Sequence, residues 1–271
     1  MDRQTFLKLL AAGVVGAAVG RSTASPLGPS PNVTAPPETS SRAARTAPVS
    51  TAVEARSATG IVPVPPPAGV VAGLPGQGAT LALTIDDGTS SDVVAAYVAL
   101  ATSTGIRLTF FPNGCYRSWT ESAPALRPLV DAGQVALGNH TWSHPDLTTL
   151  GDREVAAEIT RADKFLRNTF GVRSSPFLRP PYGAHTARVD RIAADLGHPT
   201  IALWNGTLGD DRVLSAADLL AHAQQWFQAQ HIVIGHANHP AVTRILPQLM
   251  ALIGERRLQT VTLDDVWSAG G

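Results

Sequence analysis

Asp86 and Asp87 are adjacent carboxylates at the end of an apolar run, Thr84-Ile85-Asp86-Asp87-Gly88. Neighbouring residues on an extended chain point to opposite sides, so one acid can hold a metal ion while the other takes up a proton. The same residues also read as an Asp-Gly turn that caps the next helix. His140-Thr141-Trp142-Ser143-His144 sets two imidazoles four apart. On one helical turn they face the same way and can grip a single ion. Pro145 follows directly and makes that turn short or irregular. In isolation the pair reads equally well as surface or core histidines. A zinc-protease helix carries a glutamate after its first histidine. Thr141 stands there, so a base must come from elsewhere, and Asp86 can supply it.

Arg179-Pro180-Pro181-Tyr182-Gly183 is a stiff loop after a very short apolar run. The prolines leave few amide donors, so the Tyr182 N–H can be aimed at an oxyanion, while Arg179 can keep a carboxylate charged. Pro-Tyr-Gly is also an ordinary turn. Ile232-Val233-Ile234-Gly235-His236 ends a buried run in histidine, the natural general acid near neutral pH. It reads equally well as a structural histidine, and His231 and His239 lie close by in sequence.

The elements that must position these residues alternate. Thr80–Ile85, Ile106–Phe111, Gln134–Leu137, Phe177–Leu178, Thr200–Trp204, His231–Ile234 and Leu258–Leu263 read as strands. A helix after Ser90 or Ser91 ends at Gly105, and others cover Pro124–Ala132, Asp152 to Gly171, Thr186–Leu196, Ser215–Gln230 and Val242–Gly254. This β/α alternation predicts a parallel sheet. Asp86, Asp87, His140, Arg179 and His236 each follow a predicted strand, and in a parallel barrel such positions share one face. The fold class expected is therefore α/β, a distorted, incomplete (β/α) barrel of about seven units.

Of 271 residues, 44% are hydrophobic and 15% charged, with 21 basic and 21 acidic residues in balance. A neutral chain gains little from phosphate electrostatics, which argues against nucleic acid as a partner. Cys115 is the only cysteine. No internal disulfide can form, no Cys-rich metal site exists, and Cys115 itself reads as a small buried apolar residue. Residues 1–25 read as an export signal: Arg3 and Lys8, an apolar stretch from Leu9 to Gly20, then Ser22-Thr23-Ala24-Ser25. The alternative is an uncleaved membrane anchor. Gln4 stands where a twin-arginine signal has its second arginine. Residues 26–78, rich in Pro, Ser and Ala, read as a disordered linker, and residues 79–268 as the catalytic domain. The protein is expected to be secreted or associated with the cell envelope.

Taken in order, these four segments resemble the polysaccharide deacetylase family, the fourth family of carbohydrate esterases. The resemblance runs from about Leu81 to Trp267. It implies a distorted (β/α) barrel, with Asp86 as general base and Asp87, His140 and His144 as metal ligands. It also implies that Arg179 steadies Asp86, that Tyr182 donates its N–H to the oxyanion, and that His236 is the general acid. Two segments depart from the family pattern. Ile85 replaces a phenylalanine. In Trp204-Asn205-Gly206-Thr207-Leu208-Gly209-Asp210-Asp211, Thr207 replaces an aspartate and Asp211 a tryptophan. The resemblance assigns Asp210 to orient His236, and Asp211 is equally close in sequence.

The implied function is hydrolysis of N-acetyl or O-acetyl groups from a cell-wall or extracellular polysaccharide, with an acetylated polysaccharide or oligosaccharide as substrate. The implied cofactor is a divalent metal, Zn2+ first and Co2+ or Mn2+ next. The alternatives are a deacylase or amidohydrolase of a small non-carbohydrate amide, an acetyl esterase, and a catalytically silent cell-wall-binding module. Exposed aromatics such as Trp142 and Trp204 along a wide groove would favour a polymer. A serine hydrolase lacks its Gly-x-Ser-x-Gly elbow here.

Overall fold

The computed structural model describes residues 60–173 and 175–268. The expected export signal and residues 26–59 of the expected linker lie outside the described residues. The strands are β1 (Gly69–Val71), β2 (Thr80–Asp87), β3 (Leu108–Pro112), β4 (Val135–Leu137), β5 (Phe177–Leu178), β6 (Thr200–Ala202), β7 (Gly206–Thr207), β8 (His231–His236) and β9 (Gln259–Thr260). The helices are α1 (Ser91–Thr104), α2 (Arg117–Asp131), α3 (Asp152–Phe170), α4 (Ala187–Asp195), α5 (Ala216–Trp226), α6 (Leu246–Glu255) and α7 (Leu263–Val266).

One sheet runs β4-β3-β2-β8-β7, with β9 also paired to β2, and the other runs β1-β6-β5. Every pairing within them is parallel. A bridge between Asn139 and Leu178 joins the two, and the sheet is not closed. This is the expected α/β architecture, an incomplete barrel of parallel strands.

β2 is central and buried almost throughout. Its polar/apolar alternation, which by itself suggests a half-solvated strand, instead separates two interior environments. Leu81, Leu83 and Ile85 pack with α1, α2 and α6 in the larger core. Ala82 packs inward with Phe111, Phe177, Ala202 and Ile232. Thr84 and Asp86 share the inward face with Ala82, because side chains repeat every second residue. The acid therefore sits at the C-terminal end of a strand whose apolar face is locked by the helical shell.

The caps read from sequence are present. Ser90 Oγ accepts from Val93 N at 3.4 Å, and Gly105 ends α1 in the left-handed region. Gly171 ends α3 the same way. Other boundaries moved. α2 starts at Arg117, well before Pro124, the expected first residue. Pro124 and Pro128 lie on the exposed side of α2, where the carbonyls they leave unpaired face water. The last expected strand is reduced to β9, because Thr262 and Asp265 form a reciprocal capping box that starts α7. Arg107 fixes that cap through an ion pair with Asp265 at 2.6 Å.

Residues 60–78, composed like a linker, belong to the fold. β1 pairs with β6, and Val64 bridges Trp267. Val71 and Leu74 are buried in the inner core. β1 and β7 are too short to show a period in sequence. Cys115 is exposed, contrary to expectation, because it follows β3 in the loop that opens onto α2. Partial burial, ahead of nearby charges, raises its thiol pKa, so nothing there favours a reactive thiolate. Among the described residues no helix is long and apolar enough to cross a membrane.

Candidate active site

The strand ends converge on a cleft of about 610 Å³, lined by Asp86, Asp87, His140, His144, Tyr182 and His236 among others. Asp86 lies directly across from His236 in the β2–β8 register. Two sequence-distant groups able to move protons thus face one cleft from adjacent strands.

Each has its own support. Arg179, fully buried, donates from Nη1 to Asp86 Oδ1 at 3.0 Å and to Thr84 Oγ1 at 3.1 Å. Its Nε donates to Ala202 O at 2.6 Å, and its guanidinium lies 4.3 Å from the Phe111 ring centroid. Burial lowers the Arg179 pKa and Asp86 opposes this; a guanidinium stays charged regardless. Asp86 Oδ2 is left facing His140 Nε2 at 3.7 Å.

Asp210 supports His236 with both oxygens. Oδ2 accepts from the His236 backbone N at 3.0 Å, and Oδ1 takes Nδ1 at 3.0 Å. Burial disfavours the imidazolium, but the Asp210 bond and the charges of Asp86, Asp210 and Asp87 outweigh it and raise the pKa to about 9. Asp210 is buried, whereas Asp211 is exposed at the cleft edge. That separates the two acids that sequence alone left equivalent. Thr207, at the family's aspartate position, accepts from Gly209 N at 2.9 Å and lines the cleft.

Asp87, His140 and His144 form the third group, with one ligand atom from each all within 4.8 Å of one another. His140 Nδ1 lies 2.6 Å from Arg179 O. A carbonyl only accepts, so Nδ1 carries the proton and Nε2 is left with its lone pair. Asp87 Oδ1 is buried without a hydrogen-bond partner, yet stands 3.2 Å from His140 Nε2 and 3.4 Å from His144 Nε2. An orphaned carboxylate oxygen between two imidazole nitrogens fits a divalent cation. Burial raises the Asp87 pKa, but His140, His144 and His236 together hold it well below the usual carboxylate range. Burial also opposes protonation of His140, but the nearby Asp86 and Asp87 outweigh it and raise that pKa. Burial and the adjacent His140 lower that of His144.

The two histidines do not share a helical turn. Thr141 and His144 both have positive φ, 69° and 63°. The Glu158 carboxylate accepts from Trp142 N at 3.0 Å and Ser143 N at 2.8 Å, replacing helical acceptors. Asn139 Oδ1 accepts from Thr141 N at 2.8 Å. Side chains rather than helix periodicity therefore set the four-residue spacing. Trp142 is not a cleft wall either; it packs on α3 against Phe165, with the Arg161 guanidinium 3.9 Å from its centroid. Trp204 does line the cleft.

Tyr182 has φ 60° and is 70% exposed, with its ring edge-on to His144 at 4.6 Å. The hydrogen bonds that close its turn run from Gly183 N to Pro180 O and from Ala184 N to Pro181 O. They leave the Tyr182 N–H out.

Several residues at the site carried no sequence signal. Asp87 has φ 69°, and its carbonyl accepts from Trp119 Nε1 at 2.7 Å and Asn113 N at 3.1 Å. Asn113 Nδ2 donates to His140 O at 2.5 Å, so one residue, through its backbone N–H and its side-chain amide, links the segments that carry Asp87 and His140. Tyr116 and Asn238 line the cleft. Only their position just after β3 or β8 could have marked Asn113 and Asn238.

The family model for polysaccharide deacetylases matches residues 74–201. Residues 74–201 therefore form a polysaccharide deacetylase family region. A peptidoglycan-N-acetylglucosamine deacetylase of Listeria monocytogenes is 29% identical over 189 residues, 69% of this chain and 38% of the relative. Chitin deacetylase 1 of Cryptococcus neoformans is 36% identical over 122 residues, 45% of this chain and 25% of the relative. The chain thus spans well under half the length of these relatives. A pseudoenzyme of carbohydrate esterase family 4 from Bacillus anthracis shares the fold, with TM-score 0.64, 19% identity, and 73% of this chain and 68% of that one covered. The polysaccharide deacetylase fold is thus common to active and inactive proteins, and function has to be argued from the site.

Proposed function

We propose that this chain is a metal-dependent hydrolase that removes acetyl groups, N-acetyl above all, from a cell-wall or extracellular glycan. The observation that carries this reading is the opposition of Asp86, held by Arg179, and His236, held by Asp210, on adjacent strands. A lone metal site needs neither support. The Listeria and Cryptococcus relatives, named for deacetylating peptidoglycan N-acetylglucosamine and chitin, point to the same substrate class. Tyr182 and Trp204 line the cleft and give it aromatic surface against which a sugar can pack. The segment at residues 1–25, read as an export signal, suits a substrate outside the cytoplasm.

Asp87, His140 and His144 would hold the ion. Two imidazoles and one carboxylate suit Zn2+, with Co2+ or Mn2+ also accepted by mixed donor sets. When bound, the ion supplies a Lewis acid that lowers the pKa of water toward about 7 from about 16. Asp86 Oδ1 is engaged by Arg179, so Oδ2 takes the proton as water adds to the acetyl carbonyl carbon. The Tyr182 N–H donates to the oxygen that becomes the oxyanion, a contact typically worth about 3 kcal/mol. His236, held protonated through Nδ1, gives its Nε2 proton to the departing nitrogen as the C–N bond breaks. The products are acetate and a free amino sugar.

The test is acetate release by the Zn2+-loaded protein from a panel of chitooligosaccharide, peptidoglycan, acetylated xylan and acetylated polyglucosamine. Asp86→Asn should keep its metal and lose about 100-fold or more in turnover. Acetate from no member of the panel refutes the reading. Near-normal turnover in Asp86→Asn refutes the base assignment.

A further inference from the structure

Asn238 lies two residues past His236, at the edge of the cleft and outside the proton-transfer machinery. Its Nδ2 donates to Asp87 Oδ2 at 2.6 Å. Its Oδ1 accepts from Thr89 N at 3.2 Å and from Thr89 Oγ1 at 2.8 Å. A backbone N–H can only donate, so the amide oxygen must face Thr89 and the NH2 must face the carboxylate.

Asp87 has little other freedom. Its backbone is fixed in the left-handed region by the bonds from Trp119 and Asn113 to its carbonyl. Rotation of the side chain is the remaining way to turn Oδ2, alongside Oδ1, towards the two imidazoles, and the Asn238 bond to Oδ2 opposes it. We propose that Asn238 is a positioning residue that leaves Asp87 one oxygen for an ion, and so sets the affinity and choice of metal. This rests on the metal reading above.

The physical case is a matter of ligand number. A carboxylate held to one oxygen, with two imidazole nitrogens, suits a small ion of low coordination number such as Zn2+. A carboxylate free to turn can offer both oxygens, which favours ions that take oxygen-rich, higher-coordinate shells. Asn238 also ties the segment after β8 to the segment after β2, because Thr89 and Asp87 flank the same glycine. Hydrogen bonds of this kind behind a ligand are typically worth about 10- to 100-fold in metal affinity.

The experiment titrates Zn2+ and Mn2+ calorimetrically into metal-stripped full-length protein, wild type, Asn238→Ala and Thr89→Val. Co2+ absorption reports coordination number, and thermal melting of the metal-free forms reports folding. Asn238→Ala should bind Zn2+ about 10- to 100-fold more weakly, with the Zn2+ to Mn2+ preference reduced and a weaker, higher-coordinate Co2+ spectrum. A loss that was merely structural would not change the preference between ions. Thr89→Val keeps Asn238 and removes one of the donors that orient it. It should shift affinity and preference in the same direction by less, and it decides the matter if Asn238→Ala does not fold. Zn2+ affinities within about twofold of wild type in the folded variants, with an unchanged preference, overturn the proposal. If wild-type protein takes up no ion, the metal reading falls and this inference falls with it.

Discussion

In the proposed mechanism, replacing Asp210 by Asn separates the support of the general acid, His236, from the acid itself. Asp210 offers two acceptor oxygens to two donors, the His236 backbone N–H and Nδ1–H. An asparagine has one acceptor, and its NH2 must face a donor or turn His236 into the neutral tautomer protonated at Nε2. His236 stands at about 9 against an ordinary 6.5. That displacement corresponds to roughly 3 kcal/mol in favour of the imidazolium. The Asp210 bond is the largest of the contributions that raise it, while the charges of Asp86 and Asp87 remain in the variant. Loss of the bond should therefore lower the pKa by about 1.5 to 2 units.

The acid form exists below the pKa, so turnover falls as pH rises through it. Asp210→Asn should then cost roughly 4- to 10-fold at about pH 8 and much less than twofold at about pH 6 from protonation alone. A bound divalent cation would lower the limb in variant and wild type alike, so the difference between them is the quantity to measure. The assay is a pH profile of kcat on an acetylated oligosaccharide at saturating substrate, with metal content checked at each pH. An alkaline limb that stays in place while turnover falls equally at every pH would refute the reasoning.

Gly88 has φ 106°, and a Cβ there would lie 2.2 Å from Trp119 Nε1, the donor that fixes the Asp87 carbonyl. Gly88→Ala should lower metal affinity and melting temperature together, measured by calorimetry and thermal denaturation. Truncation should discriminate between residues 60–78 as tether and as fold. A chain starting at residue 79 loses the buried Val71 and Leu74 and should be less stable than one starting at residue 60 by roughly 3–5 kcal/mol in denaturant unfolding. Metal-free protein should also show an alkaline loss. The raised pKa of His236 contributes stability fully present below 6.5 and lost as pH rises through about 9. The depressed pKa of Asp87 contributes stability present above 3.8 and lost as pH falls below it. Melting temperature against pH should therefore peak between these limits.

The parts of the site that sequence revealed are those tied to strand ends. Asp86 and His236 each close a run of apolar residues, and parallel strands bring such ends to one face. The histidine pair was legible as a pair but not as a conformation, because Glu158 and Asn139 replace helical bonds from positions no local pattern relates to them. Asn113, Trp119 and Asn238 were silent for the same reason: their role is a hydrogen bond across 27 to 151 residues of chain. Asp210 was separated from Asp211 only by burial, which depends on how β7 lies beside β8. Helices with a single apolar stripe and a glycine stop, such as α3, came through almost residue for residue. α2 did not, because its prolines mimic a helix start while sitting on its wet face.

β7 is a two-residue strand at the end of the larger sheet, paired on one side only with β8. Asp210 hangs from it, whereas Asp87 extends from the doubly flanked β2. Short, singly bonded edges open locally at far lower cost than whole domains unfold. The amide of Leu208, bonded to Ile234 O, should therefore exchange with solvent before those along β2. Such fraying would free His236 from its carboxylate while leaving Asp87, His140 and His144 together. On the proposed mechanism, the first capacity lost on warming would be proton delivery, in molecules that keep the Asp87, His140 and His144 cluster and most of their native structure.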